Sequence, residues 1–243
     1  MMTRMSCDSA IRFLSFSPLS DTTCKVTGFH MLAEEEMTTL EIPETDAEGR
    51  RVIAVDDRAF TGMSVLKRVD LPASIQWIGV RAFAFCENLM EVRFGSGNGH
   101  YSDLSYIGDR AFMGCECLTV LSLGELHSQL LCGRKAFAHC THLRAVVLPD
   151  SMTELSEGMF EGCRSLIYVR LPEELTVIRT SAFSACVSLP AISLPSKVRR
   201  IDDCAFSFCG ALESVALPEA VCMISASAFL DCPARPDFMK AVS

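Results

Sequence analysis

Cysteine, histidine, serine and aspartate are the side chains of this chain that could do chemistry, and its 243 residues include thirteen Cys and five His. The densest grouping is Cys115-x-Cys117 with His139-Cys140-x-His142, residue types that a tetrahedral zinc site uses. Ser and Asp beside those His residues also invite a search for a hydrolase. No G-x-S-x-G elbow occurs, and no Cys–His pair stands at a recognised catalytic spacing. Gly95-Ser96-Gly97-Asn98-Gly99 is glycine-rich, but it matches neither dinucleotide-binding nor P-loop spacing. No helix N-terminus is predicted after it to receive a phosphate, so it reads as a loop. Four cations, Arg58, Arg81, Arg110 and Lys135, each stand directly before an Ala-Phe pair.

The elements that position these residues are copies of one another. Ser181 to Pro195 reads SAFSACVSLPAISLP, and its skeleton of Ala-Phe, Cys, Leu, Ile or Val, Leu and Pro recurs through the chain. Phe60, Phe83, Phe112, Phe137, Phe160, Phe183, Phe206 and Phe229 are spaced by 23, 29, 25, 23, 23, 23 and 23 residues. A period of this size with Leu-x-x-Val-x-Leu spacing is the signature of stacked leucine-rich repeats. Each coil needs its neighbours to bury its apolar side. The alternating stretch predicts a short strand with apolar side chains inward, ended by Pro72, Pro149, Pro172, Pro195 or Pro218, which have no N–H to donate. A second apolar pair follows (Leu175/Ile178, Val198/Ile201, Val221/Ile224), leading back to Ala-Phe. Ser181 and Ser227 stand where an N-cap would precede a single helical turn.

The predicted fold is therefore an α/β repeat solenoid, a right-handed superhelix with a parallel β-sheet on one face and short helical or 3₁₀ turns on the other. The expected division is 1–52 as N-terminal flank and cap, 53–232 as eight repeats and 233–243 as C-terminal cap. Within the flank, Thr22–Phe29 predicts a strand, 20–52 reads as a capping hairpin, and Glu34–Glu36 reads as a solvated turn. Phe238 and Met239 are expected over the far end. The longer periods place insertions at Gly95–Tyr106 and around Gly124–Leu131, loops of the kind that carry binding in solenoids.

The skeleton resembles the BspA-like class of leucine-rich repeats. Ile178, Ala182, Phe183, Cys186, Leu189, Ile192, Leu194 and Pro195 match that class position by position, and the likeness extends over residues 53–232. The resemblance implies a solenoid that binds proteins, frequently on cell surfaces, without catalytic residues. Met63 stands in place of the first Cys, Met159 in place of one Ala, and Gly95 and Gly124 in place of two prolines.

The register sorts the candidates. Cys86, Cys115, Cys140, Cys163, Cys186, Cys209 and Cys232 share one inward position and read as a core column of free thiols, since buried Cys packs as a small hydrophobe. Cys132 takes the place of a core Ile. Cys117 and His142 are equivalent on adjacent coils, and two ligands are too few for a closed site. No metal, cofactor or catalytic residue is predicted. The Arg58–Arg81–Arg110–Lys135 column stacks like charges, with Asp57 and Asp109 beside it. It reads either as a solvated edge or as an edge for an anion or acidic partner. The outward strand positions are Arg68/Asp70, Glu91/Arg93, Val120/Ser122, Ala145/Val147, Tyr168/Arg170, Ala191/Ser193 and Ser214/Ala216. Val120, Ala145, Val147, Tyr168 and Arg170, bordered by Arg93, have the composition of a partner-binding patch.

The net charge of −8 and pI near 5.2 argue against broad binding to nucleic acid or anionic membranes. No run of about 18 apolar residues predicts a membrane span. The N-terminal stretch MMTRMSCDSAIRFLSFSPLS has its apolar run broken by Arg12, Ser15 and Ser17, which argues for an uncleaved chain. With the free thiols, that favours the cytoplasm, and secretion or surface display is the alternative. The expectation is a non-enzymatic module binding a protein partner through its strand face, with a surface adhesin as the second reading.

Overall fold

The computed structural model describes residues 13–29, 37–95, 102–124, 126 and 129–233. Glu34–Glu36, Phe238, Met239, most of the Gly95–Gly99 loop and the first twelve residues lie outside them. In the described residues the chain winds into stacked coils, and equivalent residues of successive coils lie side by side.

Two strand positions recur in each coil. The first follows the Leu-x-x-Val-x-Leu stretch. There β3 (Thr39–Glu41), β5 (Arg68–Leu71) and β7 (Glu91–Phe94) form one parallel sheet; β9 (Val120–Ser122), β11 (Ala145–Val147) and β13 (Tyr168–Arg170) form a second; and β15 (Ala191–Ser193) pairs with β17 (Ser214–Ala216). The second strand position carries the later Ile. It holds β4 (Arg51–Val55), β6 (Trp77–Ile78), β8 (Tyr106–Ile107) and β10 (Leu131–Cys132), then, in a separate sheet, β12 (Glu154–Leu155), β14 (Val177–Ile178), β16 (Arg200–Ile201) and β18 (Met223–Ile224). At the N-terminal end β1 (Leu14–Pro18) pairs antiparallel with β2 (Thr23–Phe29), and β2 pairs parallel with β4. The hairpin thus spans 14–29. It blunts the edge that an open parallel stack would present. Asp46, buried at its foot, accepts the Arg50 guanidinium at 2.7 Å.

The apolar residues of both strands and the Ala-Phe-Cys segment fill one continuous core. Its spine is the Phe column. Phe60 through Phe229 are all at most 2% exposed, and their consecutive ring centroids lie 5.1–5.8 Å apart with interplanar angles of 2–15°. Phe29 of the hairpin closes the column edge-on against Phe60, at 5.2 Å and 69°.

The Ala-Phe segment corrects one expectation. Among the described residues there is no α- or 3₁₀-helix, so the class is all-β in these residues, a parallel β-solenoid. The reason lies in where the backbone N–H groups go. Arg58, Phe60 and Gly62 donate to Val80, Ala82 and Ala84 of the next coil at 2.8–2.9 Å, and the pattern repeats through Phe206 to Ala228. The intervening N–H groups close short turns, as Ala59 does to Asp56 and Thr61 to Arg58. A helix would turn all of them inward along one axis. The alternation instead puts two residues in the left-handed region in each coil from Phe60 to Phe206, two before and two after the Phe. Arg81 and Phe85 (φ 55° and 60°) and Lys135 and His139 (56° and 59°) are examples. Ser181 is one of these residues (φ 57°) and its N–H bonds Asp203 of the next coil, so it caps no helix. The left-handed region costs an L-residue about 1–2 kcal/mol, and the ladder it permits outweighs that.

Phe183 lies 5.6 Å from Phe160 and 5.4 Å from Phe206. Phe183→Ala should destabilise by about 3–5 kcal/mol, as core aromatic truncation does. Urea unfolding followed by circular dichroism measures this, and an unchanged midpoint would place the ring outside the core.

Candidate functional site

The thiols that looked most like chemistry are structural. Cys86, Cys115, Cys140, Cys163, Cys186, Cys209 and Cys232 are all buried. Each Sγ donates to the Phe carbonyl of the preceding coil: Cys86 to Phe60 at 3.1 Å, Cys163 to Phe137 at 3.3 Å, Cys209 to Phe183 at 3.2 Å. Cys thus does what Ala could not, meeting a buried carbonyl as it fills the core. Burial pushes the Cys86 and Cys140 thiols up to about 12 and holds Cys115, Cys163 and Cys186 well above their ordinary value. A thiol so raised is a poor nucleophile and a poor metal ligand. Cys117 and His142 do occupy matching positions on adjacent coils. The His142 ring, however, bonds the Glu116 carbonyl at 2.9 Å, and among the described residues no three His, Cys, Asp or Glu side chains converge.

The outward strand positions converge better. Val120, Ala145 and Tyr168 are direct partners across β9, β11 and β13, and Ser122, Val147 and Arg170 form the next row. Val120 and Tyr168 are each 54% exposed. The Arg170 guanidinium grips both Asp150 oxygens, at 3.0 and 2.8 Å. Arg93 stands apart, on β7 of the neighbouring sheet, bonded to Glu91 at 2.7 Å. It belongs to a charged mesh in which Arg68 also pairs with Asp70 at 2.8 Å.

The four-cation column is a column in space. Arg58, Arg81, Arg110 and Lys135 all occupy the left-handed position before Ala-Phe, at φ 55–57°. Lys135 pairs with Glu161 at 3.0 Å. Asp57 and Asp109 make no ion pair with Arg58 or Arg110 among the described residues. The Asp57 carboxylate accepts the Val80 N–H at 2.7 Å, and that of Asp109 accepts the Arg134 N–H at 2.8 Å.

One row was not singled out from the sequence. Trp77, Tyr106 and Leu131 are register partners on β6, β8 and β10, and they are 39%, 36% and 58% exposed. The available signal was the residue just before the core Ile, or before Cys132 where Cys replaces it.

With the coil geometry established, the sequence can be placed among known proteins. Residues 28–131 and 105–235 match the BspA type leucine rich repeat region, in six copies. The chain belongs to that family. Solved structures of other leucine-rich repeat proteins are similar to this chain. A T. pallidum leucine rich repeat protein is 26% identical, with a TM-score of 0.71 over 95% of this chain and 92% of that one. A leucine rich cell surface protein from Faecalibacterium prausnitzii A2-165 is 27% identical, with a TM-score of 0.64 over 91% and 73%. A Bacteroides ovatus leucine-rich repeat protein, 21% identical with a TM-score of 0.60 over 92% and 68%, shares the fold. No curated protein matches the chain. Among the described residues no helix is long and apolar enough to cross a membrane.

The thiol column makes a prediction with a definite sign. The folded thiols hold their protons above the ordinary 9.0, so the folded state binds more protons than the unfolded one at higher pH. Stability should therefore be unaffected below pH 9 and fall as pH rises towards 12, each thiol contributing up to about 1.4 kcal/mol per pH unit. Urea unfolding at pH 8, 9.5 and 10.5 reads this. A Cys140→Ala/Cys163→Ala variant should show a shallower fall than the parent, and equal slopes would mean the column is wet.

Proposed function

We propose that this protein is a non-enzymatic interaction module that binds a protein partner through the outer face of β9, β11 and β13. The observation that carries this reading is the Val120–Ala145–Tyr168 row, with Val147 and Arg170 beside it. Exposed apolar side chains on a rigid sheet are already ordered, so a partner gains contact area with little loss of freedom. Tyr168 supplies broad amphipathic area, and Arg170, oriented by Asp150, presents its guanidinium beside it. Arg93 is a border residue on a separate sheet, a weaker contributor by that geometry.

Display at a cell surface is the location this reading favours over the cytoplasm. The F. prausnitzii relative is described as a cell surface protein. The cysteines of the core column do not weigh against it, because thiols sealed in the core and held protonated are protected from oxidants wherever the protein resides, while Cys222 is exposed.

A Tyr168→Ala/Arg170→Ala double variant should keep its melting temperature within a few degrees, since both side chains lie outside the core. It should also lose affinity for the bound partner by about thirtyfold. Proteins captured by parent and variant, compared by mass spectrometry and then titrated singly, measure the loss. An identical set retained with equal affinity would rule out this face.

A further inference from the structure

Three columns change character together along the solenoid. At the position before the core Ile the sequence runs Ala54, Trp77, Tyr106 and Leu131, then turns to Glu154, Val177, Arg200 and Met223. Two residues further on, Gly79, Gly108 and Gly133 give way to Ser156, Arg179, Asp202 and Ser225. At the position before Ala-Phe, Arg58, Arg81, Arg110 and Lys135 give way to Gly158, Ser181, Cys204 and Ser227. All three changes fall between the same two coils, where the sheet containing β10 also ends. Packing does not require this. The later coils have the same core without an aromatic row or a cationic one.

The rows run parallel and close together. Ala54, Trp77, Tyr106 and Leu131 are successive partners in one sheet. Beside them the backbones of adjacent coils approach so closely that a Cβ at Gly79 or Gly133 would lie 2.5 or 2.4 Å from the nitrogen of Asp57 or Asp109. The side chains between the rows are those of Asp56, which pairs with Lys25 at 2.9 Å, and of Asp57, Val80, Asp109 and Arg134. Tyr106 has its hydroxyl proton held, first by burial and then by the charges of Asp109 and Asp57, which places it near the residues that immediately precede Arg110 and Arg58. Among the described residues Arg58, Arg81 and Arg110 make no ion pair, and neither do Arg144, Arg164 and Arg199, whereas Arg50, Arg51, Arg68, Arg93, Arg134, Arg170, Arg179 and Arg200 do. In a chain of net charge −8, this strip sets Arg58, Arg81, Arg110, Arg134 and Lys135 against Asp56, Asp57 and Asp109, with Asp56 held by Lys25 and Lys135 by Glu161.

We propose that these first coils carry a binding strip for a linear acidic polysaccharide. Trp77, Tyr106 and Leu131 pack against its sugar rings, and Arg58, Arg81, Arg110 and Lys135 meet its carboxylate or sulfate groups. A row one side chain wide and three coils long, repeating at the coil spacing, suits an extended polymer better than a folded protein, whose hot spots sit in pockets. Two-thirds-covered Trp and Tyr rings offer flat apolar platforms with a polar end. Aromatic rings beside cations also bind single-stranded nucleic acid. Here, though, the Asp57 and Asp109 carboxylates and the exposed Gln76 and Ser105 lie along the strip. They would accept hydrogen bonds from sugar hydroxyls, which a DNA strand lacks along its backbone.

Trp77 is the chain's only Trp, so its fluorescence reports directly on the strip. The full chain would be titrated with alginate and with heparin, and in parallel with poly-L-glutamate as an anion without sugar and oligo-dT as a nucleic acid. Affinity electrophoresis provides a second readout. The expected result is that at least one acidic polysaccharide shifts Trp77 emission, and that binding weakens as salt rises. Arg81→Gly/Arg110→Gly should weaken it at least about tenfold. Glycine suits the left-handed backbone at both positions, and an unchanged melting temperature of this variant separates lost binding from unfolding. Trp77→Ala should weaken it at least about fivefold, and Tyr168→Ala/Arg170→Ala should leave it unchanged, which separates this strip from the strand face. Failure of both polysaccharides to bind, or equally tight binding of poly-L-glutamate or oligo-dT, would overturn the proposal.

Discussion

A coil of about 23 residues has no partner for half of its backbone except the coil next to it. Everything else in this protein follows from how that demand is met. In the coils of Phe60 through Phe183 the N–H groups of the Phe and of the residues two before and two after it reach across to carbonyls of the following coil, as the two short strands do elsewhere around the turn. In the coil of Phe206 the Cys204 N–H meets the Ser227 hydroxyl instead. Satisfying buried backbone groups is obligatory, so the local preference of Ser-Ala-Phe or Arg-Ala-Phe for helix is overridden. The left-handed residues on either side of Phe are the local cost. They are tolerated in Arg81, Phe85, Lys135 and His139 as well as in Gly158 and Gly162.

The same ladder explains the composition of the core. Because coils stack in register, one choice of residue becomes a column. Phe was chosen where rings can lie nearly parallel 5.1–5.8 Å apart, and Cys where a small side chain must also meet a carbonyl. Each column is self-consistent, so a substitution disturbs two neighbours as well as its own coil. Outward positions carry no such constraint. They are free to differ from coil to coil, and that freedom is where function can be written on a scaffold whose interior repeats.

Much of this was legible in the sequence. The 23-residue period predicted the Phe column, the buried thiols and the inward and outward alternation of Val120–Ser122, Ala145–Val147 and Tyr168–Arg170, and each stands so in the structure. Two things were not legible. Propensity and a Ser before Ala-Phe suggested a capped helical turn, because one repeat read alone shows no trace of bonds to the next. The Trp77–Tyr106–Leu131 row was passed over because its strands are two residues long, too short for alternation to show.

The central claim is that bonds between coils, rather than turns closed within each coil, hold the Phe segment. Amide hydrogen exchange measured by NMR tests it residue by residue. The amides of Phe83, Phe112, Phe137, Phe160 and Phe183 should exchange only as slowly as global unfolding allows, since each donates to the following coil. The Phe229 amide, which donates to no following coil among the described residues, should exchange much faster. Uniform rapid exchange along the whole Phe column, or equal protection at Phe229 and Phe183, would contradict the account.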